Sequence, residues 1–215
     1  MPTVDTAQPS APHSRRAWLE VATVVVMGLS SIATAWSSYQ ASLWSGVQSE
    51  AYTRASGLRV ESSRSSALAS TLTSIDVSIF MGWVDATARG EEELADFYEV
   101  RFRDEFRPAF DAWIATRPLE NPDAPLGPFQ MSEYQVAESI QADSLLVAAE
   151  ATFQDGREAN RVGDRYVLAL VLFATVLFLT GLTQKLLSPA GMALLVLAGL
   201  LFLSAVAGLA SLPRL

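Results

Sequence analysis

The chain contains no cysteine. Disulfides, thiolate metal sites and cysteine nucleophiles are excluded together, and the redox compartment is left open. Histidine is almost as scarce: His13 is the only one in 215 residues, and it sits in a Pro/Ser/Thr/Ala-rich stretch. A His–carboxylate catalytic pair or a multi-His metal site has next to nothing to work with. Lysine occurs once, at Lys185, against 14 arginines, which reads as codon bias before chemistry. Charge is sparse at 18%, and the net charge is −8. A nucleic-acid partner is not expected, because a phosphate backbone selects for basic surfaces. No G-x-S-x-G, Walker A or Rossmann glycine pattern is present. No strand alternation is long enough for a sheet, and there is no internal repeat. Proline is absent from His13 to Arg107.

Half the residues are hydrophobic, and they are concentrated in three runs. These are Trp18–Trp36, Tyr166–Leu187 and Ala190–Ala210. The last two reach the length of about 20 residues that a bilayer core requires. Ser188-Pro189 between them suits a helix start, so they form a tight hairpin. The first run carries Glu20 and several hydroxyls. Arg15-Arg16, an apolar core and Ala33-Thr34-Ala35 also match the three regions of a cleaved signal peptide. The helical pattern continues past Ala35, which favours an uncleaved anchor.

The stretch after the first run explains itself by spacing. Ala33, Ser37, Ala41, Ser45 and Ser49 are all small and four apart, so they form one ridge on a helix. Small ridges admit a second backbone at close range, and this one is the expected helix-packing and oligomer contact. Trp18, Trp36, Tyr39 and Tyr166 fall at the ends of spans, where an aromatic belt meets the membrane interface. Apolar positions at helical spacing continue through Leu72, Ile75 and Ile79 to about Arg89.

The expected architecture is all-α: an integral membrane protein with long helices running from spans one and two into an extramembrane bundle. Its parts are a disordered tail 1–16, a span 17–38, an insert 39–165, spans 166–187 and 189–210, and a tail 211–215. Within the insert we expect a long helix 39–89, a helix 91–116 interrupted near Pro108, a stiff extended Pro-rich loop 117–131, and a helix 132–165 begun by a Ser132/Gln135 capping box.

No catalytic, metal or cofactor site is expected. Glu91, Glu92, Glu93, Asp96 and Glu99 read as a solvated helix start, favoured by the helix dipole, rather than a cation site. Arg101, Arg103 and Arg107 beside Asp104, Glu105 and Asp111 read as surface ion pairs. Asp76 and Asp85 interrupt an apolar stretch; a polar site inside the bundle is weighed against an outward helix face, and the outward face is preferred. Phe97, Tyr98, Phe102, Phe106, Phe110 and Trp113 read as core.

The layout resembles a family of uncharacterised bacterial membrane proteins classed as a domain of unknown function. "SSYQASLWSGVQSEAYTRAS" and "ANRVGDRYVLALVLFATVLFLTGL" carry the resemblance. It implies one N-terminal span, a helical insert and a C-terminal two-span hairpin, and no activity. The expected function is a non-enzymatic helical scaffold or oligomer, with a coiled-coil insert. The alternative is an extracytoplasmic sensor that binds a small ligand and signals through a partner. Expected partners are the lipid bilayer and a second copy or another membrane or envelope protein. The acidic insert, with 21 Asp/Glu and 11 Arg between residues 40 and 165, favours a cytoplasmic N-terminus and an extracytoplasmic insert. Arg157, Arg161 and Arg165 oppose that orientation under the positive-inside rule.

Overall fold

A computed structural model describes residues 12–184 and 189–215. It is all-helical, with no strand among the described residues. The elements are α1 (Pro12–Arg89), α2 (Glu92–Glu99), α3 (Arg107–Ala115), a 3-10 turn at Pro128–Gln130, α4 (Ala137–Thr183) and α5 (Pro189–Ala210). Three of these helices, α1, α4 and α5, carry windows long and apolar enough to cross a membrane, with mean hydropathies of 1.5, 2.3 and 2.5. The chain is an integral membrane protein of the multi-pass kind, and α1 extends well beyond its span.

The proline-free stretch lets α1 continue for 78 residues, because only a ring-locked residue without an N–H would break it. Its end is built from Gly90, whose φ of 71° is left-handed. Gly90 N–H reaches Thr87 O at 3.1 Å and Glu91 N–H reaches Ala86 O at 3.0 Å. That is the paired closure typical of a glycine-terminated helix. The expected tail 1–16 lies outside the described residues up to residue 11, and residues 12–16 are already helical. The turn around Lys185 and Ser188 also lies outside them.

The chain divides into two compact units: Met1–Ala51 with Gln154–Leu215, and Tyr52–Phe153. In the first, α1 buries Thr23, Ser30 and Ser37, and α4 buries Tyr166, Phe173 and Thr180. Both series step by seven residues, the spacing that keeps one helix face turned to its neighbour. The volume comes from α4 and α5. Phe173 and Phe202 meet edge-on at 5.9 Å between ring centroids, and Ala33 packs against their cluster. Gly163 brings α4 close to α1: a Cβ there would lie 3.7 Å from Trp44 Cβ and 3.9 Å from Ala41 O. The tail is folded onto this unit. Gln40 is fully buried. Its Nε2 donates to Leu215 O at 3.1 Å, and its Oε1 accepts from Leu215 N–H at 3.2 Å.

In the second unit α1 and α4 run antiparallel. Tyr52 stacks on Phe153 at 5.0 Å, Arg59 pairs with Glu150 at 3.4 Å, and Ser62 Oγ donates to Ala142 O at 2.8 Å. Residue numbers rise on one helix as they fall on the other. The buried positions are small: Ala55, Ser62 and Ala69 face Ala142 and Ala149 across the seam.

Beyond the small-residue seam, α2, α3 and the loop form an aromatic cap. Phe80, Phe102, Phe106, Phe110 and Trp113 are its buried core, with Trp83, Phe129 and Tyr134 packed against it. Three expectations are corrected here. Residues 91–116 are two helices, because α2 ends at Glu99, well before Pro108. Pro108 opens α3 within its first turn, where a missing N–H costs nothing. Loop 117–131 is not extended. Arg117 adopts φ 54°, Trp113 Nε1 donates to Pro125 O at 2.8 Å, and Pro128 is buried. Finally, α4 starts at Ala137 rather than residue 132. Gln135 Nε2 reaches back to Ser132 O at 3.5 Å, so no capping box forms.

Gly82 seats α2 on α1: a Cβ at that position would lie 2.6 Å from Tyr98 Cζ. Gly82→Ala should therefore destabilise the protein by about 1–2 kcal/mol through overpacking, although alanine ordinarily gains about 1 kcal/mol over glycine in a helix. Adding Tyr98→Ala should turn that loss into the ordinary gain. Thermal unfolding of the two singles and the double reads this directly; a destabilising Gly82→Ala in both backgrounds would contradict the contact.

Candidate functional site: the buried Asp76 cluster

Ala55, Ser62, Ala69 and Asp76 are buried at seven-residue steps on α1. Asp76 takes the inward place its spacing dictates, and its side chain is 1% exposed. This corrects the outward assignment. Asp85 does lie outward, exposed and paired with Arg89 at 2.7 Å. The signal that places Asp76 is the seven-residue line of small residues leading up to it. The apolar residues beside it hide that line.

Three segments meet at the carboxylate. Arg103, from the turn after α2, puts Nη1 3.0 Å from Asp76 Oδ2. Tyr134, ahead of α4, donates its hydroxyl to the same oxygen at 3.1 Å. With that proton committed, Tyr134 Oη accepts from Thr73 Oγ1, 3.2 Å away. The far side of Arg103 pairs with Glu105. Arg103 is therefore a partly buried link, not the surface ion pair its sequence neighbours suggest. Asp76 Oδ1 is buried with no hydrogen-bond partner.

Burial raises the Asp76 carboxyl above its ordinary value of 3.8. It outweighs the lowering by the Arg103 charge and by the hydrogen bonds from Tyr134 and Arg103, and Glu105 adds to the rise. Burial likewise raises the Tyr134 phenol above 10.0, so Tyr134 stays a donor at neutral pH. The cluster sits against the aromatic cap and ties α1, the post-α2 turn and the segment ahead of α4 to one another. Its geometry is that of a fastening.

The other assigned residues are placed as follows. Ser37 is buried, Ala33 and Ala41 are half-buried against α4 and α5, and Ser45 and Ser49 are exposed. Trp18, Trp36 and Tyr39 are exposed, as a lipid-interface role requires. Tyr166 is not a belt residue: it is fully buried, and its hydroxyl donates to Pro213 O at 3.0 Å. Phe102, Phe106, Phe110 and Trp113 are core, whereas Phe97 is half-exposed beneath the Arg101 guanidinium at 3.4 Å. Among the described residues no three or more His, Cys, Asp or Glu are grouped to hold a metal ion. Phe80, Phe129, Tyr134 and Gln40 entered no expectation, because each reaches its partner through residues far away in sequence. No family model, curated protein or solved structure matches this chain.

A raised carboxyl pKa means that folding favours the protonated form. The Asp76 contribution to stability is then fully present below about pH 3.8, the unfolded value, and is lost as pH rises through the folded value. Asp76→Asn should flatten that part of the pH–stability curve. Asp76→Ala should cost about 2–3 kcal/mol, since Arg103 and Tyr134 lose their acceptor. Chemical unfolding between pH 4 and 7 measures both; equal slopes for wild type and Asp76→Asn would contradict the raised value.

Proposed function

We propose that this is a non-enzymatic bacterial membrane scaffold whose helical insert presents packing surfaces to its own copies or to an envelope protein. The observation that carries the reading is continuity. Helices α1 and α4 each contain a membrane-crossing window and continue without a break into the second unit. There a buried ion pair and an aromatic cap close the pair. Two helices fastened in this way form a prop, which suits holding partners in place. The seven-residue spacing of buried positions supports a coiled-coil description. The resemblance in layout to an uncharacterised bacterial membrane family is in keeping with a role that needs no catalytic residues.

A second reading is a sensor of small ligands that signals through a partner. The buried, unpartnered Asp76 Oδ1 favours it, since a ligand that engaged this oxygen would bias the fastening. Ligand-dependent thermal stabilisation, abolished in Asp76→Asn, separates it from the scaffold.

In both readings the N-terminus is cytoplasmic and the insert extracytoplasmic. The absence of cysteine makes the test clean. Leu119, 92% exposed, and Gln184, at the end of α4, are replaced singly by Cys in intact cells. A membrane-impermeant maleimide should label position 119 and spare position 184. The reverse pattern would put the insert in the cytoplasm and end the external-sensor reading.

A further inference from the structure

The outward side of α1 in the second unit is unlike the rest of that unit. Between Arg64 and Asp85 its only charged residue is Asp76, and Asp76 is buried. The exposed positions include Val60, Leu68, Ile75 and Met81, which are 51%, 49%, 43% and 56% accessible. Ala67, Ser74 and Met81 follow at seven-residue steps, so they stay on one face of a supercoiled helix; one step earlier, at Val60, Arg59 and Arg64 line the same side and end the uncharged stretch.

The hydroxyls on this side need nothing from water. Ser63 donates to Arg59 O at 2.9 Å, Ser70 to Ser66 O at 3.0 Å and Thr71 to Ala67 O at 3.0 Å. Ser74 donates to Ser70 O at 2.8 Å, and Ser78 to Ser74 O at 2.8 Å. A hydroxyl bonded to its own helix can be covered without the penalty of an unmade bond. The outward side of α4 differs. Its exposed Ile140, Leu146 and Val147 are interrupted by Asp143 and Glu150, both exposed.

We propose that the α1 face centred on Ala67, Ser74 and Met81 is a self-association surface, covered by the same face of a second copy in parallel. The proposal deepens the scaffold reading and rests on it. Charge selects the occupant. Residues 52–153 hold 17 acidic residues against 8 arginines, so two copies repel through most of their surface. The α1 face between Arg64 and Asp85 is where they meet without opposing charges. A basic partner would be drawn to the acidic surfaces instead. The membrane selects the geometry. Spans hold every copy the same way up, so a twofold axis along the membrane normal sets like against like. The seven-residue line is self-complementary in that arrangement.

Single cysteines at Ala67, Ser74 and Met81 test the face in native membranes. At a parallel seam, paired Cβ atoms come within the roughly 4 Å that a disulfide spans. Oxidation should give dimers at these positions and little at Val147→Cys on α4. Ser74→Glu should weaken the dimer about tenfold, equal to about 1.4 kcal/mol, with an unchanged thermal midpoint of the protomer, because Ser74 is exposed there. Mass in detergent completes the test. An oligomer that survives Ser74→Glu, or that crosslinks equally at Val147→Cys, overturns this face and leaves the scaffold reading standing. A monomer in detergent with no crosslink in membranes overturns the face and self-association together.

Discussion

The close antiparallel approach of α1 and α4 is the constraint on which the other features depend. It requires small side chains wherever the helices face each other, and Ala55, Ser62, Ala69, Ala142 and Ala149 supply them in the second unit. Ser62 Oγ reaches the backbone carbonyl of Ala142, which is possible only when the helix axes lie close. In the first unit Gly163 plays the same part against Trp44 and Ala41. Small residues bury little apolar area each, so each turn contributes little. Such a pair becomes stable by being long, and the length is available because no proline interrupts α1 or α4.

A seam of alanines and serines has a weakness. Sliding one helix by seven residues brings similar residues into contact again, so the seam alone specifies register poorly. Asp76 removes the degeneracy. It occupies the same line as Ala55, Ser62 and Ala69, yet it is acceptable only where Arg103 and Tyr134 reach it. Buried ion pairs are weak stabilisers compared with apolar packing, and setting register is their best-attested use. The aromatic cap supplies the apolar burial that the seam lacks. Phe80 alone meets Phe106, Phe110, Trp113 and Phe129 edge-on, the favourable arrangement for aromatic rings. Stability and register thus come from different residues at the same end of the unit.

This division explains what could be read from the sequence. The spans, the absence of strands and the long first helix follow from local information: run length, hydropathy and missing prolines. The aromatic stripe at Phe102, Phe106 and Phe110 was legible as core for the same reason. The candidate site was not. Asp76 has apolar sequence neighbours, and its partners are 27 and 58 residues away. Its inward direction depends on a seven-residue phase that begins at Ala55. Tyr166 was misread for a related cause. Its position at the start of a span suggests a lipid interface, and only the folded-back tail, with Leu212 buried beside it, turns that position into an interior one. Loop 117–131 was misread because four prolines suggest extension, whereas the Trp113 indole draws Pro125 back beneath the cap.

The two sides of α1 show how one serine-rich helix meets two demands. On the inward side, polar groups find partners on other segments, as Ser62 does at Ala142 and Thr73 at Tyr134. On the outward side, hydroxyls fold back onto their own carbonyls. Back-bonding of this kind slightly weakens a helix and bends it, so serine at these positions is not there for helix stability. Charged or amide side chains would serve solubility better on a face that stays in water. Small hydroxyls that are already satisfied serve close packing better. One serine-rich composition thus serves both sides of α1: inward hydroxyls direct their bonds to other segments, and outward ones direct them to their own helix.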